Sequence, residues 1–325
     1  MAKTFTETVD SLYTHTLTNR RKKLVDQIFD ATPFYEQLKA KGGITRWQGG
    51  RHLEFPVTKG VNPTSAWLDE DGTVSLQDFD PDMLIRYDWA YYAINITRKW
   101  VNDQRNSGKA ALSSMINSKI DVTKNTTIDD YEEFLFGAQA GLSPYGLKDM
   151  AYNTGAGGVS DNTYPSGYSR ATYTWWGSHY KASSTPAAVN LLPDTTNLFY
   201  TISQGRRMWE PTMMVTDQAS FELYQAAIEQ KFRIVNQHKT GDTKFPNIEF
   251  LGVPMFFSPK CTTGYNYLLN LNHLDLIIDP KYDFTPTPWK ESINQPHTRA
   301  MQWTTTLQFV TDRSKSQGVL TGIAV

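Results

Sequence analysis

Residues 108–137 read GKAALSSMINSKIDVTKNTTIDDYEEFLFG, and this stretch decides how the chain is organised. Apolar side chains recur in it at steps of three and four residues, at Leu112, Met115, Ile116, Ile120, Ile128, Tyr131 and Leu135. That spacing places them on one face of a long helix, which is expected to be buried. Thr126 and Thr127 mark a possible interruption, and Gly137 is placed to form a left-handed C-terminal cap. An unbroken helix would be about 43 Å long at about 1.5 Å per residue.

Upstream of this helix, residues 49–82 have the features of a long polar hairpin. Apolar side chains alternate with polar ones at Leu53, Phe55 and Val57 on the way out and at Val74 and Leu76 on the way back. Asp71 and Gly72 suit the turn between the two predicted strands. Because a two-stranded arm is only marginally stable alone in water, we expect it to lie on another surface.

The rest of the sequence predicts a body of mixed helices and strands. Residues 1–45 read as a helical and extended arm with a break at Pro33. The other predicted elements are a strand over 83–96, a loop-rich stretch over 138–170, a helix over 191–207, a strand over 213–216, a helix over 217–230 capped by Asp217, and strands over 250–257, 267–278 and 302–310. The loop-rich stretch is the expected boundary between two lobes.

Composition excludes several classes of protein. The chain has 325 residues, of which 39% are hydrophobic, so it can bury a large core. Its 32 basic and 33 acidic residues nearly cancel, which disfavours tight binding to nucleic acid or to an anionic membrane. Cys261 is the single cysteine, which excludes an intrachain disulfide. No apolar signal core or membrane-spanning run is present, so we expect a soluble protein made in the cytoplasm.

Motifs for catalysis or cofactor binding fail when they are tested residue by residue. Gly108 and Lys109 are similar to the end of a phosphate-binding loop, but Ala110 replaces the hydroxyl residue that holds magnesium. The alternating aspartates within residues 78–82 are similar to a calcium loop, but Met83 stands where the loop glycine is required. The six histidines have no metal-ligand spacing, and no serine lies in a nucleophile elbow. We therefore predict no catalytic, cofactor or metal site.

Charged residues in three segments are instead candidates for contacts between subunits. They are Arg20, Arg21, Lys22, Lys23, Lys59, Asp69, Glu70, Asp71, Asp129 and Glu133. The basic run over 20–23 has two other readings, a solvated face of a helix and a contact with nucleic acid. Asp129 and Glu133 share one helix face, where they suit an acid pair for catalysis, a solvent-facing surface or a salt bridge to a neighbour.

The order of these parts, together with several short stretches, resembles one family. The stretches are TVDSLY over 8–13, IFDATPF over 28–34, WVNDQ over 100–104, TYTWW over 172–176 and QGVLTGI over 317–323. They resemble the major capsid proteins of tailed bacteriophages, which have the Hong Kong ninety-seven type fold. The resemblance extends over nearly the whole chain.

This resemblance implies an α+β fold with an N-terminal arm, an extended-loop hairpin called the E-loop, a peripheral domain with a long spine helix, and an axial domain. The implied division is an N-terminal arm over 1–45, the E-loop and a strand over 46–92, the peripheral domain over 93–137, the axial domain over 138–298 and a C-terminal return strand over 299–325.

The implied function is that of a non-enzymatic coat protein without cofactors. Such a protein forms hexamers and pentamers of an icosahedral head, assembles in the host bacterial cytoplasm and encloses double-stranded DNA without reading its sequence. The resemblance also implies a separate scaffolding protein, a portal and, in some phages, decoration proteins, with no membrane contact. Two alternatives remain open at this point: an encapsulin-like nanocompartment shell, and a soluble enzyme acting on carbohydrates or nucleotides through the aromatic residues over 164–180.

Overall fold

The structure is a computed structural model that describes residues 33–58, 64–78, 82–101, 109–151, 176–184, 187–231, 248–292 and 295–323. Its helices are α1 (Pro33–Ala40), α2 (Lys109–Phe136), α3 (Leu147–Ala151), α4 (Ala187–Ser203) and α5 (Gln218–Lys231). Its strands are β1 (Ile44–Arg46), β2 (His52–Thr58), β3 (Asp82–Asp88), β4 (Ala90–Lys99), β5 (His179–Ala182), β6 (Met213–Thr216), β7 (Ile248–Phe250), β8 (Val253–Phe257), β9 (Asn266–Leu269), β10 (Leu274–Ile278), β11 (Thr285–Pro286), β12 (Lys290–Ser292), β13 (Gln295–Thr311) and β14 (Gly318–Thr321).

The predicted long helix is confirmed as α2, which runs unbroken for 28 residues. Its second half buries one stripe at three- and four-residue steps, at Ile120, Thr123, Thr127, Tyr131 and Leu135. The expected interruption is absent: the helix continues through Thr126 and Thr127, whose hydroxyls donate to carbonyls four residues earlier, at Val122 and Thr123. The side chains of Leu112, Met115 and Ile116 lie outside the described residues.

The predicted left-handed cap at Gly137 is wrong, because this residue does not have a positive φ. Its N–H instead donates to the carbonyls of Glu133 (3.0 Å) and Phe134 (3.2 Å), which continues the helical turn. The chain then comes back against the helix end at Gly146, whose N–H donates to Asp149 Oδ2 at 3.1 Å. The end of α2 is therefore closed by this returning loop rather than by a cap.

Two six-stranded sheets and one separate hairpin make up the β structure of the described residues. The first sheet has the order β1-β10-β13-β11, with β4 and β12 also paired to β13. β13 is 17 residues long and pairs antiparallel with β4 from Thr298 opposite Lys99 to Leu307 opposite Ala90. The second sheet has the order β5-β14-β9-β6-β8-β7, and β2 pairs with β3 in the hairpin.

The second sheet is buried on both faces, which its apolar strands predict. In β6, Met213 and Val215 point to the main core, whereas Met214 points to a second cluster formed with α4 and α5. The main core extends across both sheets, α1 and the end of α2. One continuous apolar cluster thus joins the first sheet, the long helix and one face of the second sheet.

The structure gives further detail at the two ends of the predicted division. Among residues 33–45, which the sequence interpretation placed in the N-terminal arm, Phe34, Tyr35 and Leu38 of α1 are buried in the main core. Within residues 299–325, β13 belongs to the first sheet, but β14 lies in the second sheet between β5 and β9.

Three predicted strands are each two strands. The first, over 83–96, breaks at Trp89, and its halves β3 and β4 lie in different sheets. The second, over 250–257, contains a tight turn in which Leu251 (φ 53°) and Gly252 (φ 76°) are left-handed. The third, over 267–278, breaks because Asn270 accepts a hydrogen bond from the N–H of Asn272 at 3.1 Å and starts a short 3₁₀ turn.

The predicted helices of the second lobe are confirmed with shifted bounds. The helix expected over 191–207 is α4, which ends before Gln204 and Gly205 adopt positive φ values of 47° and 70°. The helix expected over 217–230 is α5, and Asp217 caps it by accepting a hydrogen bond from the N–H of Ser220 at 3.3 Å.

Candidate assembly surfaces

The hairpin of β2 and β3 is anchored in the main core at its root. Leu53 lies opposite Tyr87 in this ladder, and both are 0% exposed. The Tyr87 hydroxyl donates to the carbonyl of Thr311 at 2.7 Å, which fixes the hairpin to β13. Phe55 packs edge-on to Tyr87 with ring centres 6.0 Å apart. The root is therefore part of the body.

The loop over 64–78, here called the arm loop, is exposed along nearly its whole length. It carries four large apolar side chains that face solvent: Trp67, Leu68, Val74 and Leu76. Trp67 is fully exposed, and Leu76 is 97% exposed. Such a concentration of exposed apolar side chains marks a surface that meets a partner.

The arm loop also corrects the predicted hairpin. The turn near Asp71 and Gly72 is confirmed, since the N–H of Gly72 donates to the carbonyl of Asp69 at 2.9 Å. The return strand is not at Val74 and Leu76, however, because residues 72–78 form no strand and the partner of β2 is β3. The apolar residues expected to line the return strand are therefore part of the exposed loop.

The charge of the arm loop is entirely acidic. Asp69, Glu70, Asp71 and Asp78 lie in it, and it contains no lysine, arginine or histidine. All four are exposed, and none forms an ion pair with another described residue. Three of them are the candidate contact residues predicted from the sequence.

The solvent face of α2 carries the other candidate residues that the structure describes. Asp129 and Glu133 are exposed and lie one turn apart. Burial raises the pKa of the neighbouring Glu132, and the carboxylate of Asp129 adds to this shift. The remaining candidates, Arg20, Arg21, Lys22, Lys23 and Lys59, lie outside the described residues.

A cleft of about 280 Å³ opens beside the second half of α2. It is lined mainly by apolar and aromatic side chains from α2, β4, β13 and the loop over 142–144. Among the described residues that line it, one is a carboxylate, Asp130, which accepts a hydrogen bond from the Tyr92 hydroxyl at 2.8 Å. The described lining thus shows no second acidic group of the kind that paired acid–base catalysis requires.

A basic and aromatic surface lies where the chain passes from α4 towards β6. The Cζ atoms of Arg206 and Arg313 lie 4.3 Å and 3.9 Å from the ring centre of Trp209. We call this surface the arginine patch; it comprises Arg206, Arg207, Met208, Trp209 and Arg313. Sequence reasoning missed it, and the run RRMW over 206–209 was the signal that could have identified half of it.

His179 lies in β5, and its Nε2 atom is buried without a hydrogen-bond partner among the described residues. Burial lowers the pKa of this imidazole to about 4, and the charge of Lys315 adds to the shift. Because the unfolded state binds the proton near pH 6.5 and the folded state does not, stability should be full above pH 6.5 and fall as the pH drops to about 4.

We expect His179→Gln to reduce this loss of stability between pH 6.5 and pH 4. The measurement is the urea midpoint of the soluble subunit at several pH values. His297→Gln is the matched control, because His297 is exposed. An unchanged pH dependence in the His179 variant would contradict the assignment.

The described residues contain neither a metal-binding cluster nor a membrane-spanning helix. No cluster of three histidine, cysteine or carboxylate side chains within them could hold a metal ion. No helix within the described ranges is long and apolar enough to cross a membrane.

Solved structures with a similar fold are found, whereas similar sequences are not. No protein-family model matches the sequence, and no curated protein matches it. Among solved structures, a chain of the capsid asymmetric unit of cyanophage A-1(L) aligns with a TM-score of 0.53 at 16% identity, over 86% of this chain and 90% of that chain. A chain from the capsid of an empty GTA particle aligns with a TM-score of 0.51 at 11% identity, over 87% and 89% of the two chains.

The chain has the Hong Kong ninety-seven type capsid fold. The α+β architecture expected from the sequence is therefore confirmed. The encapsulin SrpI of Synechococcus elongatus is also similar, with a TM-score of 0.52 at 10% identity over 89% of this chain and 87% of that chain. The capsid fold is thus shared by viral shells and by at least one encapsulin shell.

Proposed function

We propose that this chain is the major capsid protein of a tailed bacteriophage. The observation that carries the proposal is the hairpin with a buried root and an exposed tip. Leu53 and Tyr87 hold the root in the core, whereas Trp67 and Leu76 at the tip are left to solvent. An apolar tip on a rigid base is suited to contact a second copy, and repeated contacts of this kind close into a shell.

Within this proposal, the capsid fold divides into a peripheral and an axial domain. The peripheral domain contains α2, β4 and β13, and the axial domain contains α4, α5 and the second sheet. Copies of the chain form hexamers and pentamers of an icosahedral head. The subunits are made and assembled in the host bacterial cytoplasm, and the finished protein resides in the virion.

The proposed partners follow from the proposed shell. A separate scaffolding protein and a portal take part in assembly, and decoration proteins are optional additions. The shell encloses double-stranded DNA without sequence-specific contacts, in keeping with a formal net charge of −1. The protein acts through its interfaces rather than as an enzyme; the single carboxylate in the cleft beside α2 supports this assignment.

An encapsulin-like shell is the second candidate, because an encapsulin is among the similar structures. The two candidates differ in their contents. Particles from infected cells should contain double-stranded DNA if the chain is a phage coat protein. A protein cargo in place of DNA would favour the encapsulin.

The proposed function is tested by expressing the full chain and examining it by sedimentation velocity and negative-stain microscopy. We expect capsomers or closed shells, because the arm loop exposes apolar side chains that a partner would bury. The control is the same protein dissociated in mild denaturant. A chain that stays monomeric at high concentration, alone and in lysate from infected cells, would refute the proposal.

A further inference from the structure

The arginine patch gathers cations from two separate segments around one indole ring. Arg206 follows α4 and Arg313 lies between β13 and β14, and both guanidinium groups are within cation–π distance of Trp209. The exposed Arg207 and the half-buried Lys315 lie close to them in sequence and add two more positive charges. Positive charge is therefore concentrated on one small surface.

The two stacked guanidinium groups repel each other. Burial lowers the pKa of Arg313, Asp312 opposes this shift, and the nearby charge of Arg206 adds to it. The Nε atom of Arg313 is buried and has no hydrogen-bond partner among the described residues. Holding like charges together costs free energy, which an anion bound beside both of them would offset.

The acidic residues next to the patch in sequence do not pair with it. Glu210 follows Trp209, and Asp312 precedes Arg313 but contacts His273 at 2.9 Å. No carboxylate in the described part of the chain forms an ion pair with any arginine of the patch. The patch therefore fits an anion that comes from outside the described chain.

The patch lies open to solvent on a fixed backbone. Arg206, Arg207 and Met208 are exposed. The side chain of Asn270 donates to the carbonyl of Met208 at 3.2 Å, and the N–H of Asn270 donates to Gln317 Oε1 at 2.9 Å. These bonds tie the 3₁₀ turn over 207–209 to the second sheet, so little backbone freedom is lost when a ligand binds.

The open shape and the arginine chemistry together favour an extended polyanion. Small ligands are bound mostly in concave sites that enclose them, whereas a nucleic-acid backbone can lie across a surface and contact several cations at once. A guanidinium group stacked on an aromatic ring keeps its N–H edge free to donate two parallel hydrogen bonds to a phosphate. The patch therefore has the chemistry of a phosphate-binding surface.

We propose that the arginine patch binds the phosphate backbone of the nucleic acid that the shell encloses. This inference rests on the proposed function, since the shell supplies the DNA. The contact is independent of base sequence, because it is made to phosphate oxygens and not to base edges. It is weak for one subunit, in keeping with the formal net charge of −1, but it is repeated at every copy in the shell. The patch then faces the interior of the particle.

Neutralising the two exposed arginines of the full-length chain tests the proposal. The probe is a short fluorescent double-stranded DNA of mixed sequence, and its anisotropy is measured below the protein concentration at which shells form. We expect Arg206→Gln with Arg207→Gln to weaken binding at least about tenfold at about 0.05 M salt and to reduce the slope of log affinity against log salt by about one to two. Arg206→Lys with Arg207→Lys retains the charge and should keep most of the binding.

The matched control is Lys281→Gln with Lys290→Gln, which removes two exposed lysines outside the patch and should leave the DNA affinity and the salt slope unchanged. Every variant keeps residues 20–23, so any DNA contact made by that basic run is common to all of them. Thermal unfolding checks that each variant still folds.

A labelling experiment tests the proposal without altering a charge. Cys261 is the single cysteine and is buried, so Met208→Cys provides one exposed thiol within the patch. A maleimide joined to a large polymer should label this thiol in free subunits, more slowly when the short DNA is added, and should leave it unlabelled in closed particles that contain DNA. Labelling in closed particles would place the patch on the outer surface and overturn the proposal.

Failure of this inference can be told from failure of the proposed function. A parent chain that forms shells, with equal DNA affinity in the parent and the glutamine variant, contradicts the phosphate-binding surface alone. A parent that never assembles contradicts the proposed function, while loss of DNA binding in its glutamine variant would still support the surface. Displacement of the DNA by inorganic phosphate, beyond that by chloride at equal ionic strength, would make a small phosphate the ligand and overturn the proposal. Weaker assembly of the glutamine variant with unchanged DNA affinity would show a protein partner and would also overturn it.

Discussion

Replacing residues 64–78 with a short glycine–serine linker is expected to abolish shell formation while leaving the subunit folded. These residues are almost all exposed and contribute nothing to either hydrophobic cluster, so their removal costs little stability. They do carry Trp67 and Leu76, which a partner would bury. Sedimentation velocity should show a loss of capsomers and shells, and the unfolding transition should stay cooperative.

The contrasting variant lies at the root of the same hairpin. Leu53 is 0% exposed, so Leu53→Ala should lower the free energy of unfolding by about 2–5 kcal/mol. Loss of cooperative unfolding in the linker variant would show that the arm loop belongs to the core. Shells formed by the linker variant would show that assembly does not use it.

Gly146→Ala is expected to lower the free energy of unfolding by about 3 kcal/mol or more. A methyl group here would collide with the backbone carbonyl oxygens of Gly137 and Phe134 and lie 3.0 Å from that of Leu135. Backbone at the end of α2 cannot move aside without disturbing the main core, in which Leu135 is buried. Urea denaturation of the soluble subunit, followed by tryptophan fluorescence, measures the change.

Gly318→Ala is the control for this prediction. Its added methyl group would meet the terminal methyl of Ile202, which is a side-chain atom rather than backbone. We expect a loss of only about 1 kcal/mol there. Equal losses in the two variants would mean that the close approach at Gly146 does not constrain the end of α2.

The long helix was predictable because its stripe is a local property. Ile120, Tyr131 and Leu135 follow the helical period closely enough to indicate both the element and its buried face. The polar hairpin was predictable in outline for a related reason, since alternation and the turn near Gly72 are also local. Its return strand was misplaced because alternation at Val74 and Leu76 does not say whether a partner strand lies opposite.

At Trp89 the buried side chains change from the odd-numbered to the even-numbered residues of the strand. Ile85 and Tyr87 are buried at odd positions, whereas Ala90 and Ile96 are buried at even positions. Because strand side chains alternate with a period of two, such a change means that the chain has passed from one sheet to another. The exposed Tyr91 follows the earlier phase and hides this change in the sequence.

The arginine patch could not be derived from sequence spacing. Arg313 reaches Trp209 only because the 3₁₀ turn after α4 and the segment between β13 and β14 meet in the folded chain. No local pattern relates two segments so far apart. The acidic residues Asp69, Glu70 and Asp71 of the arm loop, by contrast, are consecutive in the chain and could be identified from the sequence alone.

The place of β14 has a consequence for the timing of folding. This strand pairs parallel with β5 and antiparallel with β9, and so fills the gap between them. A ribosome makes β14 after every other described strand, so both of its neighbours keep an open edge until β14 has been made. A chain that stops before β14 therefore lacks a finished second sheet and leaves the edges of β5 and β9 open to non-native pairing.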